Sequence, residues 1–377
     1  MAPSSKTAAA VASAWILSLV AVFFVGRATA NDTVQPPPEP PIPPIDLGQA
    51  GTYVAIGDSY SAGEGLPAYD AGTGDLGEGD RCHRSSYAYP RLLPFVYATT
   101  RVHRACSGAV VQNVFATIQS HDHTPDLQGH QIEPESDTPD APATLTDDVR
   151  LITLTMGGND LRFADMLVFC AKHLACTDDA FAGTGKTLTG WAADSLDHIQ
   201  TSLSEMYSLL RSRAPQGARI LVLGYPGLFP ERVPSFFSDP VCNEVFRVWG
   251  QGERDAIRGW NVELDQKIKA ASIDSGVEYV DVYSFFVQHE TCGSAGAWIK
   301  FVGDPSHVER DGWFHPTRAG QYMMARIVAC YLQVFHSREE ALQGDPTDAF
   351  AMSSCVADHY PVGGLTSLPS PSATPSP

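Results

Sequence analysis

Five short apolar runs, Tyr53–Ile56, Val102–Ala105, Leu151–Met156, Ile220–Leu223 and Val277–Val282, alternate with longer stretches of helical character. The runs are bounded by Gly, Pro or polar residues and most of them are mainly apolar, as expected of strands buried on both faces. Between the later runs, Ala193 to Ser212 carries Leu196, Ile199, Leu203, Met206, Leu209 and Leu210 at three- and four-residue steps, and Asp255 to Ala271 carries Ile257, Trp260, Val262, Leu264 and Ile268. Strands alternating with helices predict an α/β fold: a parallel sheet with helices on both faces. In open sheets of this kind ligands bind beyond the carboxyl ends of the strands. The residues that follow each run are therefore the ones to read for function.

The first run stops in Gly57-Asp58-Ser59-Tyr60-Ser61, with Gly63 and Gly65 just beyond. Gly, Asp and Ser are common turn formers, so this segment alone could be an ordinary turn. Three later segments bear on it. Ala105-Cys106-Ser107-Gly108 ends the second run. The third run leads directly into Gly157-Gly158-Asn159-Asp160. Far downstream, Asp311-Gly312-Trp313-Phe314-His315-Pro316 precedes an amphipathic helix. A serine, a glycine, an asparagine and a histidine in this order resemble the four blocks of the SGNH (GDSL-type) hydrolases, most closely the secreted actinobacterial esterase/lipase branch. The resemblance spans roughly residues 50 to 335. It implies a three-layer α/β/α sandwich around five parallel strands, flavodoxin-like in type.

Acyl transfer explains why these residue types are needed. A serine hydroxyl is a weak nucleophile until a base takes its proton. The tetrahedral intermediate then needs fixed donors aimed at its oxyanion, each worth roughly two to three powers of ten in rate. By the resemblance, Ser59 is the nucleophile and His315 the general base, then acid. The oxyanion donors are the backbone N–H of Ser59, the backbone N–H of Gly108 and the side-chain amide of Asn159. The family's usual aspartate stands three residues before the histidine, where this chain has Gly312; Asp311 is one residue further back. Two arrangements stay open: the Asp311 carboxylate reaches the imidazole as a third catalytic member, or a backbone carbonyl of Gly312 or Trp313 orients the ring. The spacing favours the carbonyl.

The first thirty residues point to export. Lys6 precedes an apolar stretch from Ala8 to Val25, and Ala28-Thr29-Ala30 supplies small residues for cleavage, so residues 1–30 read as a signal peptide. An uncleaved anchor is the competing reading. Residues 31–48, with their run of prolines, form a spacer; Asn31-Asp32-Thr33 is a glycosylation acceptor in a eukaryotic host. The hydrolase domain is expected over 49–337. A C-terminal extension over 338–377 ends in a Pro/Ser-rich stretch expected to be disordered. Eight cysteines in an exported chain predict disulfides. The residues alone leave roughly a hundred connectivities. Pairing in sequence order, as the resemblance implies, selects Cys82–Cys106, Cys170–Cys176, Cys242–Cys292 and Cys330–Cys355.

A formal net charge of −18 argues against nucleic acid and against docking on anionic membranes. No Cys-x-x-Cys pair occurs, His121-Asp122-His123 lies in a polar loop, and the acidic Asp70–Asp80 segment lacks calcium-loop spacing, so no metal or cofactor is expected. Gly185-Lys186-Thr187 has no strand before it and is not a phosphate loop. The segment from Leu161 to Trp191 follows Asn159. Its Leu167, Val168, Phe169 and Phe181 could line an acyl pocket or pack into a minor core. The same two readings apply to Phe236-Phe237 and Phe285-Phe286.

The expectation is a secreted, monomeric serine esterase or lipase acting on a small-molecule or lipid carboxylic ester through a Ser59 acyl-enzyme. Around Ser59 there is no Gly-x-Ser-x-Gly elbow, which argues against an α/β-hydrolase. The alternatives are a carbohydrate O-acetylesterase, which needs an open polar groove, and a non-catalytic secreted binding module on the same fold.

Overall fold

The computed structural model describes residues 41–66, 68–74, 81–115, 131–132, 144–173, 175–232, 249–300, 312–343 and 346–357. The chain divides into a first unit, Met1–Pro41, and a second, Ile42–Pro377. The expected signal peptide, most of the proline spacer and the Pro/Ser-rich end lie outside the described residues, as do His121-Asp122-His123, Phe236-Phe237, Cys242 and Asp311. No described helix is long and apolar enough to cross a membrane.

Within the second unit, β1 (Gly51–Ala55), β2 (Thr99–His103), β3 (Val149–Leu154), β4 (Arg219–Leu223) and β5 (Glu278–Val280) form one sheet in the order β2-β1-β3-β4-β5. Every neighbouring pair is parallel. The central strands β1, β3 and β4 bury nearly every residue, whereas edge strand β2 leaves Thr100 and Arg101 exposed. An edge strand packs on fewer neighbours and tolerates Thr-Thr-Arg, so the apolar run at Val102–Ala105 marks only its end. At the other edge, the buried Glu278 carboxylate is paired by Arg219, whose Nε donates to Oε1 at 3.0 Å and whose Nη1 caps the Phe335 carbonyl at 2.6 Å.

The order reverses between β1 and β3. With right-handed crossovers, connections leaving in opposite directions put their helices on opposite faces, which makes three layers. The long helices α4 (Leu188–Arg213) and α5 (Gln251–Asp274) pack together; the periodic Leu196, Ile199, Leu203, Met206, Leu210, Ile257, Leu264 and Ile268 form their buried stripe. Ahead of them stand short α1 (Ser59–Ala62), α2 (Tyr89–Leu92) and α3 (Phe163–Lys172). The preceding Cys170–Cys176 bond staples the insertion that carries α3. Its Leu167 and Phe181 are buried, Phe181 against Phe169 and Trp191, while Val168 is 45% exposed. Leu167 and Phe181 therefore pack within the core, with Phe169 half-buried against it. Phe286 likewise sits in the core against Trp298.

Packing extends past both expected domain edges. Ile45 is buried, its N–H donating to the Pro94 carbonyl at 2.7 Å. Helix α6 (Arg318–Val334) is buried on nearly every side, and it needs cover from more than the sheet. After α7 (Arg338–Gln343), α8 (Pro346–Ala357) packs on α6 and is joined to it by Cys330–Cys355. Buried Arg326 of α6 donates from Nη2 to the Cys355 carbonyl at 2.7 Å and from Nε to that of Val356 at 3.1 Å, capping the last turn of α8. Arg326→Met keeps the apolar stem but leaves these carbonyls without that donor. It is expected to lower unfolding stability by about 3 kcal/mol, read from the urea midpoint with the disulfide intact. A shift below about 0.5 kcal/mol would show that the cap is dispensable.

Candidate active site

Ser59 follows β1 as the first residue of α1, at the point where strand order reverses. Asp58 caps the helix, accepting from the Tyr60 N–H at 3.0 Å. Gly57 takes φ of 118°, and a Cβ there would lie 2.5 Å from the Thr155 carbonyl oxygen, so the turn presses the end of β1 onto the end of β3. The Asp58 carboxylate is fully buried. It also accepts from the Thr155 hydroxyl at 2.6 Å and from the Tyr225 hydroxyl. Burial pushes its pKa up to about 6 against the pull of those donors. The ladder continues inward through Ser61, Thr155, Tyr89, Thr153 and Tyr53, which exchange side-chain hydrogen bonds of 2.7–3.3 Å.

Ser59 is 7% exposed, and its Oγ lies 2.8 Å from His315 Nε2. The other ring nitrogen, Nδ1, lies 2.9 Å from the Trp313 carbonyl oxygen. A carbonyl only accepts, so Nδ1 carries the proton and Nε2 is left to accept from the serine hydroxyl. The loop bearing the histidine is held from several sides. Tyr60 donates its hydroxyl to the Phe314 carbonyl at 2.6 Å, the Lys300 N–H donates to the His315 carbonyl at 2.8 Å, and Phe314 meets Phe229 and Trp249 edge-on. At Gly312, the usual aspartate position of the resembled family, a Cβ would meet Gly65 Cα at 3.0 Å and Lys300 Nζ at 3.3 Å. The space a carboxylate needs is filled by that contact, which accounts for the glycine.

The strand-end loops that carry Gly108 and Asn159 are fastened to each other and to Ser59's turn. Cys82–Cys106 and a 2.9 Å bond from the Cys106 N–H to the Gly57 carbonyl hold the first. Gly108 itself is exposed, with φ of 80°. From the second, Asn159 donates one amide hydrogen to the Ala109 carbonyl at 2.9 Å, and the Asp160 carboxylate accepts from the Val111 N–H at 3.2 Å. Burial raises the Asp160 pKa to about 7. One amide hydrogen of Asn159 is thus spent on orientation, and the amide has a second to offer. Cys292 is disulfide-bonded, while Cys242, its expected partner, lies outside the described residues. Among those residues no cluster of His, Cys, Asp or Glu could hold a metal.

Tyr60, Thr155 and Tyr225 were not singled out as site residues from sequence, nor was the buried Glu64–His83 pair, whose atoms are 2.7 Å apart. Tyr225 follows β4 just as Ser59 follows β1, so the strand-end rule that flags the serine reaches it too. Burial holds the His315 imidazole below its ordinary value of 6.5; the Glu64 carboxylate opposes this and the Lys300 ammonium adds to it. NMR titration is expected to find His315 still neutral when the pH falls through 6.5. Glu64→Gln removes an anion that favours the imidazolium and should lower the midpoint further. An upward movement in that variant would show that the carboxylate does not act on the ring.

A GDSL-like Lipase/Acylhydrolase family model matches residues 55–322. A lipase of Streptomyces rimosus is 30% identical over 72% of this chain and 83% of its own length, and Lipase 1 of Streptomyces coelicolor is 28% identical over the same shares. Among solved structures, phospholipase A1 from Streptomyces albidoflavus NA297 is 28% identical, with a TM-score of 0.53 over 72% of this chain and 95% of that one. The sheet order, the strand-end loops and these similarities agree: the chain belongs to the GDSL-like lipase/acylhydrolase family and is a carboxylic ester hydrolase.

Proposed function

We propose that this hydrolase is a secreted serine esterase or lipase that works through a Ser59 acyl-enzyme, with His315 as general base and the Trp313 carbonyl in the place of a third carboxylate. The 2.8 Å contact between Ser59 Oγ and His315 Nε2, with Nδ1 committed to the Trp313 carbonyl, carries this reading. Nε2 takes the serine proton as Oγ attacks the ester carbonyl carbon. The oxyanion is met by the N–H groups of Ser59 and Gly108 and by the Asn159 amide. Collapse breaks the bond to the alcohol, which leaves with the proton from Nε2. Water, deprotonated by the same nitrogen, then releases the acid and restores Ser59. The lowered imidazole pKa suits a base that must start neutral.

The names of the relatives, lipase and phospholipase A1, favour an acyl-lipid ester as substrate. The disulfides Cys82–Cys106, Cys170–Cys176 and Cys330–Cys355 favour an oxidising, extracellular location.

Ser59→Ala should abolish hydrolysis of a p-nitrophenyl ester series without loss of fold, and Asn159→Ala should lower kcat about 10²–10³-fold. A loss confined to KM would make Asn159 a binding residue instead. Chain-length preference across the series separates lipid esters from acetate; activity on acetyl esters alone, improving on acetylated glycans, would move the assignment to a carbohydrate O-acetylesterase. A well-folded protein that turns over no ester would overturn the catalytic reading altogether.

With a carbonyl orienting the ring, Asp311→Asn should cost less than about tenfold, whereas a carboxylate partner would make it cost about 10⁴-fold. The acid limb of kcat/KM should fall below pH 6.5, because a base with a lowered pKa stays unprotonated further into acid.

A further inference from the structure

The Tyr225 hydroxyl stands between the two turns that the proposed reaction needs in register. It donates to Asp58 Oδ2, on the residue that caps Ser59's helix, and it accepts from the Gly158 N–H at 3.0 Å, next to Asn159. Its ring is buried and meets Tyr60 edge-on, with centroids 5.1 Å apart. Tyr60 in turn holds the histidine loop through the Phe314 carbonyl. A phenol is suited to this position because one oxygen both donates and accepts. Neither phenylalanine nor tryptophan could satisfy a carboxylate and an amide N–H from a single atom.

We propose that Tyr225 is a positioning residue for ester hydrolysis, which sets the Gly158–Asn159 turn against the Ser59 turn so that the asparagine amide is aimed at the oxyanion. Tyr225 touches no reacting atom. Its effect passes through Asn159 on one side and Asp58 on the other. The inference rests on Asn159 being an oxyanion donor, as proposed above. Losing the hydroxyl would leave the Gly158 N–H without its acceptor and Asp58 short of one donor. Asp58 keeps Thr155 and the Tyr60 N–H, and the asparagine turn keeps its bonds to Ala109 and Val111; what is lost is the single oxygen that ties the one turn to the other.

A double-mutant cycle on the full chain tests this, with kcat counted per active serine by fluorophosphonate titration. Tyr225→Phe is expected to lower kcat about tenfold with KM within twofold. In an Asn159→Ala background the same substitution should cost less than about twofold, because the group it positions is gone. Equal losses in both backgrounds, or wild-type kcat in Tyr225→Phe, would overturn the role of Tyr225. If Asn159→Ala alone leaves kcat unchanged, the oxyanion assignment fails first, and the coupling with it. Should Tyr225→Phe fail to fold, hydrogen exchange of the wild-type Gly158 amide serves instead: protection like that of β3 supports the bond, and exchange at the rate of an open loop refutes it.

Discussion

A buried carboxylate at the end of β1 governs the site. Asp58 is buried away from bulk solvent, and an unpaired buried charge costs several kcal/mol. It is tolerated because the Tyr60 N–H, the Thr155 hydroxyl and the Tyr225 hydroxyl all converge on it. Those donors come from α1, from the residue just after β3 and from the loop after β4. Satisfying one carboxylate therefore locks three strand ends together. Ser59 is the next residue along the chain, so its placement follows from that requirement. A polar network of this kind is conditional: complete, it specifies one arrangement, and with a member missing it leaves a costly buried group.

Tyrosines carry the lock outward in two directions. Through its hydroxyl Tyr60 holds the Phe314 carbonyl and so the loop of His315, while its backbone carbonyl accepts from Gln321 of α6. Tyr225 reaches the Gly158 N–H and the asparagine turn. The histidine is 256 residues from the serine in sequence, yet the two side chains meet at 2.8 Å because both loops are tied to the first turn of α1. The Gly65–Gly312 approach belongs to the same fastening. It brings backbone against backbone where a carboxylate would otherwise stand, and the imidazole proton goes to a carbonyl instead. A neutral acceptor fixes the tautomer but adds no full charge, which is consistent with an imidazole held below its ordinary pKa by burial.

The C-terminal segment has a structural part that its composition conceals. Helix α6 is buried on nearly all sides, and one of the elements covering it is α8, stapled by Cys330–Cys355 and capped by Arg326. A guanidinium with no exposed surface is costly alone; here it is matched by the carbonyls at the end of α8, where a helix is partially negative. The last described residues thus belong to the folded unit even though their sequence has a weak amphipathic pattern.

Period and composition alone determined the alternation of strands and helices, the central strands at Tyr53, Leu151 and Ile220, and the buried stripes of α4 and α5, because burial on both faces demands continuous apolar runs and helix packing demands three- and four-residue steps. Ser59, Gly108, Asn159 and His315 were visible as residues at the ends of such runs or before a helix, in an order that matched a known family. Edge strand β2 was displaced in that reading, since Thr99 to Arg101 need not be apolar where a neighbour is missing on one side. What the sequence did not contain is which side chains converge. The bond from Tyr225 to Gly158 and the capping of α8 by Arg326 join residues dozens of positions apart. Although Trp313 is only two residues from His315, the loop that sets its carbonyl on the ring is held by Tyr60 and Gly65, about 250 residues away. Hydrogen bonds are directional and act over about 3 Å, so only the packed tertiary arrangement could decide them.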